Sequence, residues 1–283
     1  MASEASATKP ERNVLEDLDS RIPTNFYWYL AVLACIGGFL FGYDTSNIGS
    51  ALAFIPYHLS SFATGYLVAG ASLGAAAGAL VAGPLTDHFG RKALLISDAA
   101  IYAIGSILSA VTINAGMLLA SRTLIGLAIG ADSAIATAYI AEFAPRSRRG
   151  QLSIIQQWMI TVGILVSYLI AVIILKASPG SAGGADWRLI LGLGGVPALI
   201  AVALRSHMPE SPRWLMLHGR YDDTRKAFGR LGMDVTADEV RHAADELAGL
   251  ERQRQRKTQW TRGVRRALII VCVIGRASCR ERV

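Results

Sequence analysis

Stretches of about 20 mostly apolar residues recur along this chain, each long enough to cross a hydrocarbon core about 30 Å thick as a helix. In order they run from about Phe26 to Ile48, Phe62 to Pro84, Ala93 to Ile113, Ala115 to Phe143, Leu152 to Leu175 and Leu189 to Leu204. Repetition on this scale predicts an all-α membrane protein, with a six-helix bundle over residues 26–204. Composition agrees, since 52% of the 283 residues are hydrophobic and only 17% are charged. A net charge of +7 could suggest a nucleic-acid partner, but the basic residues fall between the apolar stretches, where cytoplasmic loops require them. Neither a disulfide framework nor zinc spacing follows from Cys35, Cys272 and Cys279, and no nucleophile–base set stands out, so no enzyme, metal or cofactor is expected.

The loops set the orientation. His88, Arg91 and Lys92 follow the second stretch, Arg146, Arg148 and Arg149 follow the fourth, and a strongly charged region follows the sixth. The intervening loops carry few basic residues, which puts the N-terminus and both ends of the bundle on the cytoplasmic side. Residues 1–25 read as a polar cytoplasmic tail without a cleavable signal. Residues 205–263 are soluble in character, with short amphipathic helices expected at Tyr221–Leu231 and Ala237–Arg254, where Val240, Ala244 and Leu247 recur at helical spacing. Residues 264–273 read as the start of a seventh span, and 274–283 resemble translated sequencing adapter, which makes the chain the front half of a longer protein.

Polar groups inside the apolar stretches are costly and so are informative. Asp44 lies in the outer half of the first span, within G-G-F-L-F-G-Y-D-T-S-N-I-G. Arg122 lies seven residues into the fourth, about 10 Å from its start at 1.5 Å per residue, so the two can meet at matching depth. A nearby guanidinium favours the ionised carboxylate and separation in an apolar cavity favours the protonated one, so the pair can act as a proton switch. Asp132 lies near the middle of the fourth span, and three roles are open to it: a second proton site, a determinant for a cationic or zwitterionic solute, or a structural acid bonded between helices. Gly70, Gly74 and Gly78 place a small residue on each turn of the second span, a face on which another helix can pack closely.

Two charged turns flank the bundle. In G-P-L-T-D-H-F-G-R-K, Pro84 is expected to help end a helix and Gly90 to permit a tight turn, beside Asp87, Arg91 and Lys92. Glu142 and Arg149 flank the second turn, and P-E-S-P-R-W-L supplies Glu210 and Arg213 after the sixth span.

Taken in order, these motifs resemble the N-terminal half of a major facilitator superfamily transporter of the sugar porter or metabolite:proton symporter type. The others are S-R-T-L-I-G-L-A-I-G, A-E-F-A-P-R-S-R-R-G and Q-Q-W. The resemblance implies a proton-coupled symporter of a sugar or similar small polar metabolite in the plasma membrane, working by alternating access with a C-terminal half of the same protein. It implies that Asp44 takes the coupling proton with Arg122 as partner, and that Gln157 contacts solute beside an apolar wall from Phe41, with Gln156 ranked behind it. It also implies that Asp87, Arg91, Lys92, Glu142, Arg149, Glu210 and Arg213 form a cytoplasmic gating network. G-A-D at Asp132 departs from the sugar pattern and resembles phosphate and organic-ion symporters, which keeps phosphate, organic acids and cationic solutes open as cargo. A membrane protein that binds or senses solute without moving it is the reading from a different class.

Overall fold

In a bilayer the backbone can bond only to itself, and each apolar stretch closes into a helix. The computed structural model describes residues 14, 17, 25–143, 149–177 and 186–257. The spans are α1 (Asn25–Leu52), α2 (Ser61–Phe89), α3 (Arg91–Ala110), α4 (Ala115–Phe143), α5 (Arg149–Ala177), and a sixth made of α6 (Asp186–Gly192) and α7 (Gly195–Ser206). By length and composition, six helical segments among the described residues are able to cross a membrane. The expected N-terminal tail, the seventh span, the adapter-like end and the side chain of Arg149 lie outside the described residues, apart from Val14 and Asp17.

Three local expectations need correction. Pro84 does not end α2; it sits inside a helix that continues to Phe89. A proline removes one ladder bond, which a membrane helix tolerates, and the stop comes at Gly90, whose φ of 93° is open to glycine and strained for other residues. The turn is therefore one residue long, and Asp87 and Arg91 both lie on helices. The sixth span is interrupted at Leu193 and Gly194, because Pro197 has no N–H to offer the Leu193 carbonyl four residues back. Val196 donates to that carbonyl instead, at 3.1 Å, in a tighter turn. Finally, Arg205, grouped above with the soluble region, is a fully buried residue of α7.

Glycine seams hold the bundle together. A Cβ added at Gly74 or Gly78 of α2 would strike the Thr123 or Leu127 carbonyl of α4, and one at Gly126 or Gly130 of α4 would strike the Ala71 or Ala75 carbonyl of α2. The same reciprocity joins Gly38 and Gly42 of α1 to Gln156 and Ile160 of α5, and Gly163 of α5 to Phe39 of α1. Close backbone approach of this kind supplies van der Waals contact where no hydrophobic force acts between helices. Gly70 has a different neighbour, the ring of Tyr66 on its own helix.

At one end of the bundle lie α8 (Pro212–Leu217), α9 (Tyr221–Arg230) and α10 (Ala237–Lys257), close to the expected bounds. Ser211 caps α8 ahead of Pro212, and Thr236 and Glu239 bond reciprocally at the start of α10 as a capping box. Met216, Phe228, Met233, Val240, Ala244 and Leu247 bury one face of these helices in a core shared with Leu30, Leu95, Tyr139 and Phe143 of the spans. Burying one such large side chain is worth about 1.5–3 kcal/mol, enough to dock the small helices on the bundle. We call this the α8 end.

Candidate functional site

Asp44 and Arg122 meet between α1 and α4, away from the α8 end. The Arg122 Nη1 donates to Asp44 Oδ1, and both side chains are almost wholly buried, 4% and 1% exposed. Asp44 Oδ2 and Arg122 Nε have no hydrogen-bond partner among the described residues. The pair is therefore held by one contact inside a dry setting, where the Coulomb attraction is strong and so is the cost of breaking it. Tyr102 of α3 stands close by, its hydroxyl donating to the Leu40 carbonyl at 3.3 Å.

A second charged cluster lies nearer the α8 end. Asp132 is ten residues beyond Arg122 on α4, about 15 Å along the axis, and forms an ion pair with Arg205 of α7. The same Arg205 Nη1 reaches Asp98 Oδ1 of α3 at 3.2 Å and donates to the Leu95 carbonyl at 2.8 Å, while its other nitrogens point at the Leu33 and Ala34 carbonyls of α1. Four helices thus converge on one guanidinium. Gly37 of α1 is the space that lets Asp132 in, since a Cβ there would overlap its carboxylate. A cavity of about 10 Å³ lies against Gly37, Asp98, Tyr102 and Asp132.

Asp98 and Arg205 are the functional candidates that reading the sequence missed. Asp98 had a signal, a carboxylate inside an apolar stretch, of the kind that drew attention to Asp44. Arg205 had none, because a cation at a span end normally marks only the membrane edge.

The expected solute residues divide. Gln156 packs against Gly38 of α1, and its neighbour Gln157 turns about 100° away on the helix and is exposed. Phe41 is half-buried, with Thr45 exposed one turn on. Phe41 and Gln157 are thus open for contact beside the α1–α5 seam, and Asp132 is closed off by Arg205.

The gating candidates gather at the α8 end. Arg91 bridges Glu142 at 2.9 Å and Asp87 at 3.4 Å, and donates to the Thr86 carbonyl at 3.1 Å. Gly90 has no side chain with which to cap α3, and Glu210 does so from a distance, its carboxylate accepting from the backbone N–H groups of Arg91 and Lys92 at 2.9 and 3.1 Å. Lys92 enters the network through its backbone, and Arg213 lies half-buried near Glu142. The Trp214 indole donates to the Asp87 carbonyl at 3.0 Å, and the Tyr139 hydroxyl to the Pro209 carbonyl at 2.9 Å. Beside this network a cleft of about 500 Å³ is lined by Lys92, Arg220, Lys226 and Arg230, with Asp223 held below the usual carboxylate range by hydrogen bonds from Arg220 and Lys226.

A bundle of six spans with charges buried between helices and a charged network at one end is the architecture of the N-terminal portion of the major facilitator fold. The solved structure of the proton:xylose symporter XylE, bound to 6-bromo-6-deoxy-D-glucose, superposes with a TM-score of 0.72 at 26% identity, over 83% of this chain and 55% of that one. The sequence carries the assignment further: the chain belongs to the sugar (and other) transporter family, whose model matches residues 30–279. Among its relatives, an arabinose-proton symporter of Bacillus subtilis (strain 168) is 31% identical over 92% of this chain and 58% of its own length. A D-xylose transporter of Levilactobacillus brevis is 37% identical over 72% of this chain and 43% of its own length. The chain thus spans about half the length of the relatives it matches. The family is one of transporters, not of enzymes.

Proposed function

We propose that the chain forms the first half of a proton-coupled symporter for a sugar or similar small polar metabolite, set in the plasma membrane with its N-terminus in the cytoplasm. The observation that carries this reading is the buried one-to-one pair of Asp44 and Arg122. While the pair is closed, Arg122 occupies the Asp44 carboxylate; parting of the helices frees that carboxylate to exchange the coupling proton with water. Rocking of two bundles around a midplane site links that exchange to solute held near Phe41 and Gln157, with Gln156 behind. The latch of Arg91, Glu142, Asp87 and Glu210, joined by Lys92 and Arg213, closes the cytoplasmic side in the outward-facing state, and Arg149 is assigned the same role from the sequence alone.

Relatives named for arabinose and xylose support a sugar as cargo. The engagement of Asp132 by Arg205 argues against a cationic or zwitterionic solute, because the buried carboxylate already faces a counter-charge. In the whole transporter, Asp44→Asn abolishes gradient-driven accumulation and leaves solute exchange. Uptake into proteoliposomes with and without an imposed pH gradient tests this, and unchanged accumulation overturns it.

A further inference from the structure

Charge at the inner cluster does not balance. Arg205 brings one positive charge to a site where Asp98 and Asp132 bring two negative ones, all three side chains at least nine-tenths buried. Among the described residues the remaining titratable neighbours are Cys35 of α1 and Tyr102 of α3, neither of them a cation at neutral pH. On α2 the charged residues lie in the last turn, and on α5 they lie at the two ends, so neither helix offers a second counter-charge.

Hydrogen-bonding capacity fails to balance in the same place. Among the described residues Asp98 Oδ2 and Asp132 Oδ2 have no donor, although both carboxyl groups meet the same Arg205 Nη1. Two ionised carboxylates side by side repel, and each offers only acceptors. One hydrogen between them removes both faults, because the protonated oxygen donates to its neighbour and the net charge of the three groups falls to zero. A metal cation would need a shell of several oxygens. The adjoining cavity, about 10 Å³, has room for about one water, and among the described residues no cluster of His, Cys, Asp or Glu could hold a metal.

We propose that Asp98 and Asp132 share one proton against Arg205, forming a second proton-binding site about 15 Å along α4 from Arg122. The proton comes from water when the cluster is opened, makes an O–H bond on one carboxyl group and an accepted hydrogen bond on the other, and returns to water on release.

Infrared difference spectroscopy of the protein in lipid nanodiscs, titrated with acid and base, reads this proton as a carboxylic-acid carbonyl band. The wild type is expected to show the band at neutral pH and to lose it on alkaline titration. Asp98→Asn and Asp132→Asn each reduce it to background, because one carboxylate facing one guanidinium needs no proton. Asp44→Asn leaves it in place. A wild type without the band at neutral pH overturns the proposal independently of how the variants fold. So does a band that survives both Asp98→Asn and Asp132→Asn, or one displaced by sodium at fixed pH. The readout is a bound proton and not uptake, so its failure leaves the role of Asp44 untouched.

Discussion

Two buried arginines, Arg122 and Arg205, solve one electrostatic problem in different ways. Arg122 faces one carboxylate through one contact and leaves its Nε without a partner. Arg205 faces two carboxylates and three backbone carbonyls drawn from α1 and α3. The first site is held by a single bond that a small separation of helices would break. The second is a hub, and opening it means breaking bonds to several helices together. A switch and a fastening can therefore be built from the same residue types, and the number of partners decides which one results.

The sharpest test of this contrast removes the hub. Arg205→Met leaves the Asp98–Asp132 pair buried without a counter-charge, and breaking a buried ion pair costs about 3–5 kcal/mol. We expect it to be the most destabilising of these changes in thermal unfolding of the protein in nanodiscs; a loss smaller than that of Asp44→Asn would break the comparison. Next comes Asp44→Asn against Asp132→Asn. The former strands Arg122, at a cost of about 3 kcal/mol, whereas the latter leaves Arg205 paired with Asp98 and puts a neutral amide where the shared proton is proposed. Equal losses would mean that the two sites are held alike.

Glycines refine the picture at lower energy. Gly37→Ala pushes a methyl group into the Asp132 carboxylate and is expected to cost about 1–3 kcal/mol, as overpacking does. Gly49→Ala, on the same helix with nothing near its Cβ, is expected to be neutral or stabilising by about 0.5–1 kcal/mol. The smallest effect belongs to Asp223→Asn at the exposed α9 surface. The folded protein lowers this carboxyl's proton affinity, so its stabilisation is present above the unfolded value of about 4 and is lost as pH falls through the folded value. Solvent screens it, and we expect no measurable shift in unfolding midpoint at neutral pH, with any difference from wild type vanishing in acid.

Much of this was readable before any fold was known. Spans announced themselves by length, the α9 and α10 bounds by amphipathic spacing, and Asp44 with Arg122 by depth along their helices. What stayed hidden depended on contacts between distant segments. Arg205 reads as a membrane-edge cation until α7 is seen to tuck it against α1, α3 and α4. Glu210 caps a helix that begins 119 residues earlier, for which no local spacing rule exists. Pro84 misled because proline's cost in a membrane helix depends on what surrounds it, while Pro197 broke its span through a single absent N–H.

The reciprocal glycine contacts between α1 and α5, and between α2 and α4, limit how such a bundle can deform. Side chains adapt by changing rotamer, but facing backbones have no such freedom, and a slip of less than a full turn would drive carbonyls into Cα atoms. Each pair is therefore a two-stranded plank that travels as one piece. Any rearrangement that opens one end of the bundle has to hinge between planks, leaving the fit within each plank unchanged.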